Sequence, residues 1–192
     1  MIASLLLLAA QPEAPPAPAP DCSYDLEAML ALDRDAFDQD MDGGWRVLAK
    51  RDGCEIAAAE LIREWRHAKR DHEGILYWHE GQMRAFGGQT EEALALFELT
   101  YNPPEFDTDF GWNHYVSGTI AFLIRDRDHL RQAIERLKAI PAPSEASFTG
   151  PDGTVMQINW PPNLDVLEAF ERCWDKPYSQ AYGTAECRDP EG

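Results

Sequence analysis

Between residues 58 and 137 one spacing recurs. Ala58, Leu61, Ile62 and Trp65, then Ala93, Leu96, Phe97 and Thr100, then Leu130, Ala133, Ile134 and Leu137 all fall at i, i+3, i+4 and i+7. That spacing gathers a stripe along one side of an α-helix, whereas a strand turns every second residue to the opposite face. Two further helical segments lie between these runs, about Glu73 to Phe86 closed by Gly87-Gly88, and Trp112 to Arg125 with Val116, Ile120, Leu123 and Ile124 apolar. Asp71 is placed to cap the first of these and Thr90 the helix that follows it, while Asn102-Pro103-Pro104, Pro141 and Pro143 act as stops. Upstream, Leu26, Met29, Leu30 and Phe37 predict a first helix from Tyr24 to about Phe37, and a short helix is expected around Trp45 to Lys50. A last helix, about Asn163 to Trp174, precedes a loop carrying Tyr178, Tyr182 and Cys187. Strand-like alternation occurs only from Thr154 to Trp160, after Pro151-Asp152-Gly153, so a small β-hairpin near 147–160 is expected beside an otherwise all-α fold.

A chain of 192 residues is one domain of ordinary size, and six Trp, eight Phe and six Tyr promise an aromatic-rich core. Thirty-four acidic against seventeen basic residues leave a net charge of −17, which repels nucleic-acid phosphates and anionic headgroups. No nucleic-acid partner is expected. Residues 1–10 carry the apolar run Leu5 to Ala10, far short of the roughly 20 residues that span a bilayer, and read as a signal-peptide-like segment although no Lys or Arg precedes the run. Residues 11–21 are a Pro/Ala-rich linker, 22–187 a single helical domain and 188–192 a flexible tail. The chain is expected in a periplasm or outside the cell, with no stable membrane insertion after processing.

Four cysteines in an oxidising compartment allow three pairings. Cys22 with Cys54 and Cys173 with Cys187 is the favoured set, because it ties the leading end to the second helical hairpin and the tail to the last helix. Each bridge would contribute about 3 kcal/mol through the unfolded chain. The absence of any Cys-x-x-Cys disfavours a redox-active pair or a thiolate zinc site.

With the small residues Ala93 and Ala133 aligned, residues 42–141 resemble the tetratricopeptide repeat family. Tyr77, Gly81, Gly88, Ala93 and Phe97 fall at the family's aromatic, small, turn, small and aromatic positions, and Pro103-Pro104 lies just ahead of its terminal proline. Glu80 and Arg84 depart from it, standing where the family prefers Leu and Tyr. A weaker second hairpin matches at Ile120, Ala121, Ala133 and Leu137, with Ser117 replacing the aromatic and an acidic connector around Phe106 to Phe110 lengthening the repeat. The resemblance implies helical hairpins stacked into a compact right-handed array, with a concave face lined by the first helix of each pair. Carried over, a face for a protein or peptide partner would comprise Trp78, His79, Gln82 and Phe86 from one repeat and Tyr115, Thr119, Phe122 and Arg125 from the next.

Two other constellations carry chemistry. Asp38, Asp40 and Asp42 followed by Gly43 reproduce the first half of an EF-hand calcium loop, but Ala49 stands where the closing Glu belongs. His72 and His79, with the acidic residues of 33–42, are the groups from which a metal-dependent hydrolase or a calcium-binding envelope protein would be built. No His-Glu-x-x-His, nucleophile elbow, phosphate loop or dinucleotide fingerprint is present, and no cofactor is expected. The leading expectation is an exported, non-enzymatic protein acting through protein contact.

Overall fold

The computed structural model describes residues 19–107, 110–143, 147–149, 155–157 and 159–189. The signal-like segment 1–10, the linker up to residue 18 and residues 190–192 of the tail lie outside the described residues. The fold is mainly helical. Its principal elements are α3 (Glu55–Lys69), α4 (Gly74–Phe86), α5 (Thr90–Glu98), α6 (Trp112–Leu123) and α7 (Arg127–Lys138), preceded by the short α1 (Leu26–Ala31) and α2 (Gly44–Ala49). Two three-residue strands, β1 (Ser147–Thr149) and β2 (Val155–Gln157), pair antiparallel. Then come α8 (Leu164–Arg172), α9 (Tyr178–Gly183) and α10 (Ala185–Arg188).

Successive helices pack as antiparallel neighbours, α3 on α4, α4 on α5 and α6 on α7. Small residues set how closely they approach. A Cβ on Gly81 would lie 2.7 Å from the Phe97 ring, so α4 and α5 sit together because one offers no side chain where the other offers a ring. In the next pair the same service comes from Gly118, whose added Cβ would lie 3.2 Å from Ala133 and 2.7 Å from Leu167. Helix α4 separates two cores. Leu76 and Met83 join Phe37, Trp45, Ile62 and Trp65 on one side, while Trp78 and Ala85 join Phe97, Tyr115, Phe122 and Phe170 on the other.

Three sequence expectations are corrected. The first helix does not run to Phe37; it ends at Ala31, Leu32 turns extended, and the Asp33 carboxylate accepts from the Ala36 N–H at 2.9 Å to start a separate π-helical turn over Asp35–Gln39. A side chain that competes for backbone donors breaks a helix wherever it offers a better start. Likewise the loop after α8 is two short helices, α9 following Pro177, whose fixed φ is pre-set for helix entry. Thr90 is the first residue of α5 and Gln89 its cap, without a side-chain bond. At the entry to α2, Gly44 has φ +53° and a Cβ there would meet the Phe37 carbonyl at 1.8 Å, so only glycine fits.

Glu80 and Arg84, the departures from the repeat pattern, form a buried network between α3 and α4. One Glu80 oxygen accepts from Arg66 Nη2 at 2.5 Å, and the other from Arg84 Nη2 at 2.8 Å and Nε at 3.0 Å. Arg84 also donates to Glu60 at 2.8 Å and Gln89 at 2.7 Å, and the Arg66 guanidinium lies 4.0 Å from the Tyr77 ring centroid. Removing the central carboxylate leaves the buried Arg66 guanidinium without its ion partner and Arg84 held only by Glu60 and Gln89. Glu80→Ala is expected to lower unfolding stability by about 3–5 kcal/mol, against roughly 0.5 kcal/mol or less for Arg63→Ala, whose partners are exposed; urea denaturation of both variants checks this.

Candidate functional site

Of the residues assigned to a concave face, Trp78, Gln82, Phe86, Tyr115 and Phe122 gather on one side of α4 and α6, and that side is filled by neighbouring helices and by the chain's own C-terminal segment. Trp78 is buried against Phe97, Trp112 and Tyr115, with ring centroids 4.4, 4.9 and 4.8 Å away. Phe86 meets the rings of Tyr178 and Tyr182 edge-on, each at 5.2 Å, and Gln82 donates to the Tyr182 hydroxyl at 3.2 Å. Phe122 stacks on Phe170 at 4.5 Å and faces Tyr178. Thr119 is fully buried. Arg125 remains exposed, its guanidinium over Phe122 and Trp174. His79 turns the other way, toward the N-terminal core. The expected open face is therefore a filled one, because α9 supplies aromatic side chains that bury better against it than water does.

This interior is poor in polar partners. The Thr119 hydroxyl is buried without a hydrogen-bond partner, and the Tyr178 hydroxyl, equally buried, has the Gln82 amide as its polar neighbour. Burial foremost, then the neighbouring tyrosines, holds the Tyr115 and Tyr178 phenols well above their ordinary range, so both stay neutral through physiological pH.

The disulfides Cys22–Cys54 and Cys173–Cys187 form as the sequence favoured, with Cα–Cα distances of 5.4 and 5.8 Å. The first anchors the leading segment, which is further held by Arg51 donating to the Ser23 carbonyl at 2.8 Å. The second closes α9 and α10 against α8. Breaking it as Cys173→Ala/Cys187→Ala is expected to cost about 3 kcal/mol and to raise amide exchange in residues 178–188 while leaving α4 protected, as read by hydrogen–deuterium exchange.

The three aspartates of the calcium reading go separate ways. Asp38 points inward, fully buried, accepting from Trp45 Nε1 at 2.9 Å and bonded to His79 Nδ1 at 2.7 Å. Asp40 accepts from the Asp42 N–H at 2.9 Å, and Asp42 pairs with Lys50 at 2.8 Å in the open. His72 is bonded to the Tyr77 hydroxyl at 2.9 Å, so it does not meet His79 either. Among the described residues no three His, Cys, Asp or Glu side chains are grouped to hold a metal ion.

Asp38 and His79 nonetheless form a specific tie between the π-turn and α4. Burial pushes the Asp38 carboxyl up, but the hydrogen bond and charge of His79, then the Trp45 indole and Arg46, outweigh it and hold the carboxyl below its ordinary value of 3.8. A carboxyl that is more acidic in the fold takes up its proton first in the unfolded chain. Its contribution is complete above that ordinary value and is lost as pH falls through the lower folded one. Between pH 5 and pH 2 the wild-type urea midpoint should therefore fall further than that of Asp38→Asn, the same measurement at pH 7 showing the variant less stable.

Sequence reasoning overlooked one exposed feature. Leu99, Tyr101, Phe106 and Phe110 stand exposed at the ends of α5 and α6. The connector is pinned there by a reciprocal pair between Asn102 and Asn113, at 2.8 and 2.9 Å, and by Asp107 accepting from the Asn113 N–H at 3.1 Å. A cavity of about 280 Å³ between Ile75, Thr100, Asn102 and Trp112 opens beside it. The signal was present: no Lys or Arg occurs between Arg84 and Arg125, an interval holding six acidic residues. Read as a repeat-lengthening insert, the connector gave no hint that its rings stay outside. No family's sequence model, curated protein or solved structure matches the chain. Among the described residues no helix is long and apolar enough to cross a membrane.

Proposed function

We propose that this is an exported, disulfide-stapled helical protein of tetratricopeptide type that acts by protein contact, with the connector between α5 and α6 as its contact surface. The observation that carries the reading is the exposure of Phe106 at 73%, Leu99 at 62% and Phe110 at 57% at one end of the helical layer. Exposed single apolar residues are ordinary, but several in one pinned segment beside a side-chain-sized cavity mark an interaction site. Two disulfides support an oxidising compartment, and the Gly81–Phe97 close approach supports the repeat reading. The catalytic rival is the less supported, since Asp38 and His79 are committed to each other.

The test is photo-crosslinking in the exporting cell. A benzoylphenylalanine placed at Phe106 should give a discrete protein adduct that one placed at exposed Met41 does not, and Leu99→Ser with Phe110→Ser should remove that adduct while changing stability by about 0.5 kcal/mol or less. Identical adduct patterns from the two positions would sink the reading.

A further inference from the structure

We propose that the cleft where the ends of α4 and α6 meet the segment leading into α9 binds a small monocarboxylic acid with an apolar body, held through Arg125 and Lys176. The cleft lies at the start of α5 and the end of α6, whereas the connector joins the other ends of those two helices, so this site does not rest on the connector reading. Its volume of about 210 Å³ falls below the roughly 300–1,000 Å³ of most small-molecule sites, which limits an occupant to the size of an amino acid. Phe86 is half-buried and gives the cleft ring surface, backed by the buried Phe122 and Tyr178.

Charge decides the class of ligand. The chain has twice as many acidic as basic residues, yet this cleft is lined by one Arg, one Lys and, among the described residues, no Asp or Glu. Asp126, next to Arg125, is occupied in capping α7, accepting from the His129 N–H at 3.0 Å. Glu91 and Asp175, neighbours of lining residues in sequence, stand exposed outside it. The contrast with Arg127 is direct. Its guanidinium lies 5.5 Å from the Trp174 ring centroid and is paired with Glu171 at 3.0 Å. Arg125 lies closer to the same ring, at 4.7 Å, and 5.3 Å from that of Phe122, but neither it nor Lys176 has a carboxylate partner among the described residues. A ring face steadies a guanidinium and leaves its N–H edge free to meet a carboxylate. The Thr90 and Ser179 hydroxyls, at the same cleft, are likewise not taken up by other described residues. A single carboxylate on an apolar body matches this set. A free amino acid does not, since its ammonium finds no anion in the lining, and a doubly charged phosphate meets the repulsion of a chain at net −17 more strongly than a monoanion does.

An amide NMR titration of the whole protein with phenylacetate, an acid of this class, reads the site. Saturable shifts confined to residues 85–90, 122–125 and 176–179 are expected, with a Kd of about 1 mM or below. Phenylacetamide, which has the same body without the charge, should bind about tenfold more weakly, as should free phenylalanine. Lys176→Gln should weaken phenylacetate binding about tenfold. Arg125 has φ +64°, where glycine is unstrained, so Arg125→Gly should lose binding about tenfold while its melting temperature holds or rises. An arginine that merely packs on Trp174 would instead lower the melting temperature on removal and leave binding unchanged. Shifts that do not saturate, equal binding of acid and amide, or wild-type affinity in either variant would overturn the proposal.

Discussion

Glu80 lies buried between Arg66 of the preceding helix and Arg84 one turn further along its own, and the arrangement of the other helices follows from that. A carboxylate is tolerated in such a place only while both guanidiniums face it. The pair of contacts fixes the rotation of α4 about its axis relative to α3. With that rotation set, Leu76 and Met83 must enter the N-terminal core, and Trp78 and Ala85 must enter the C-terminal one. His79, next in sequence to the clamp, is thereby aimed at Asp38. One ion network thus determines what two hydrophobic cores can contain.

Much of the helical plan was legible because a 3.6-residue period writes itself directly into apolar spacing. Residues 55–69, 74–86, 112–123 and 127–138 became helices close to where the spacing put them. The disulfide pairing was also legible, since one bridge ties the leading end to the start of α3 and the other ties the tail to the end of α8. What the spacing could not carry was coverage. Trp78, Gln82, Tyr115 and Phe122 do line one face, yet a face is open or closed according to what a distant segment does. Residues 178–188 have no periodicity long enough to announce two short helices. Asp38 misled for a related reason, since three acidic residues at alternate positions look like ligands until one turns inward to accept from an indole and an imidazole.

The ends of the molecule are built by different means from its middle. The central hairpins rely on close approach at Gly81 and Gly118, where the missing Cβ lets backbones and rings meet. The leading segment relies on Cys22–Cys54 and on Arg51 gripping backbone carbonyls, and the trailing one on Cys173–Cys187 with Arg172 donating to the Cys187 carbonyl at 2.8 Å. Short elements with little apolar area of their own gain order this way, because covalent closure limits the unfolded alternatives where packing alone would not.

The long interval without Lys or Arg has a practical side. Trypsin can cut before Ala85 and after Arg125 but nowhere between, so α5, the connector and the whole of α6 leave the digest as one acidic fragment. Amine-reactive dyes, tags and surface couplings have no lysine to attack in that interval either. Attachment through lysine therefore leaves the aromatic connector chemically untouched, whereas mapping contacts within it requires a protease that cuts at acidic or aromatic residues.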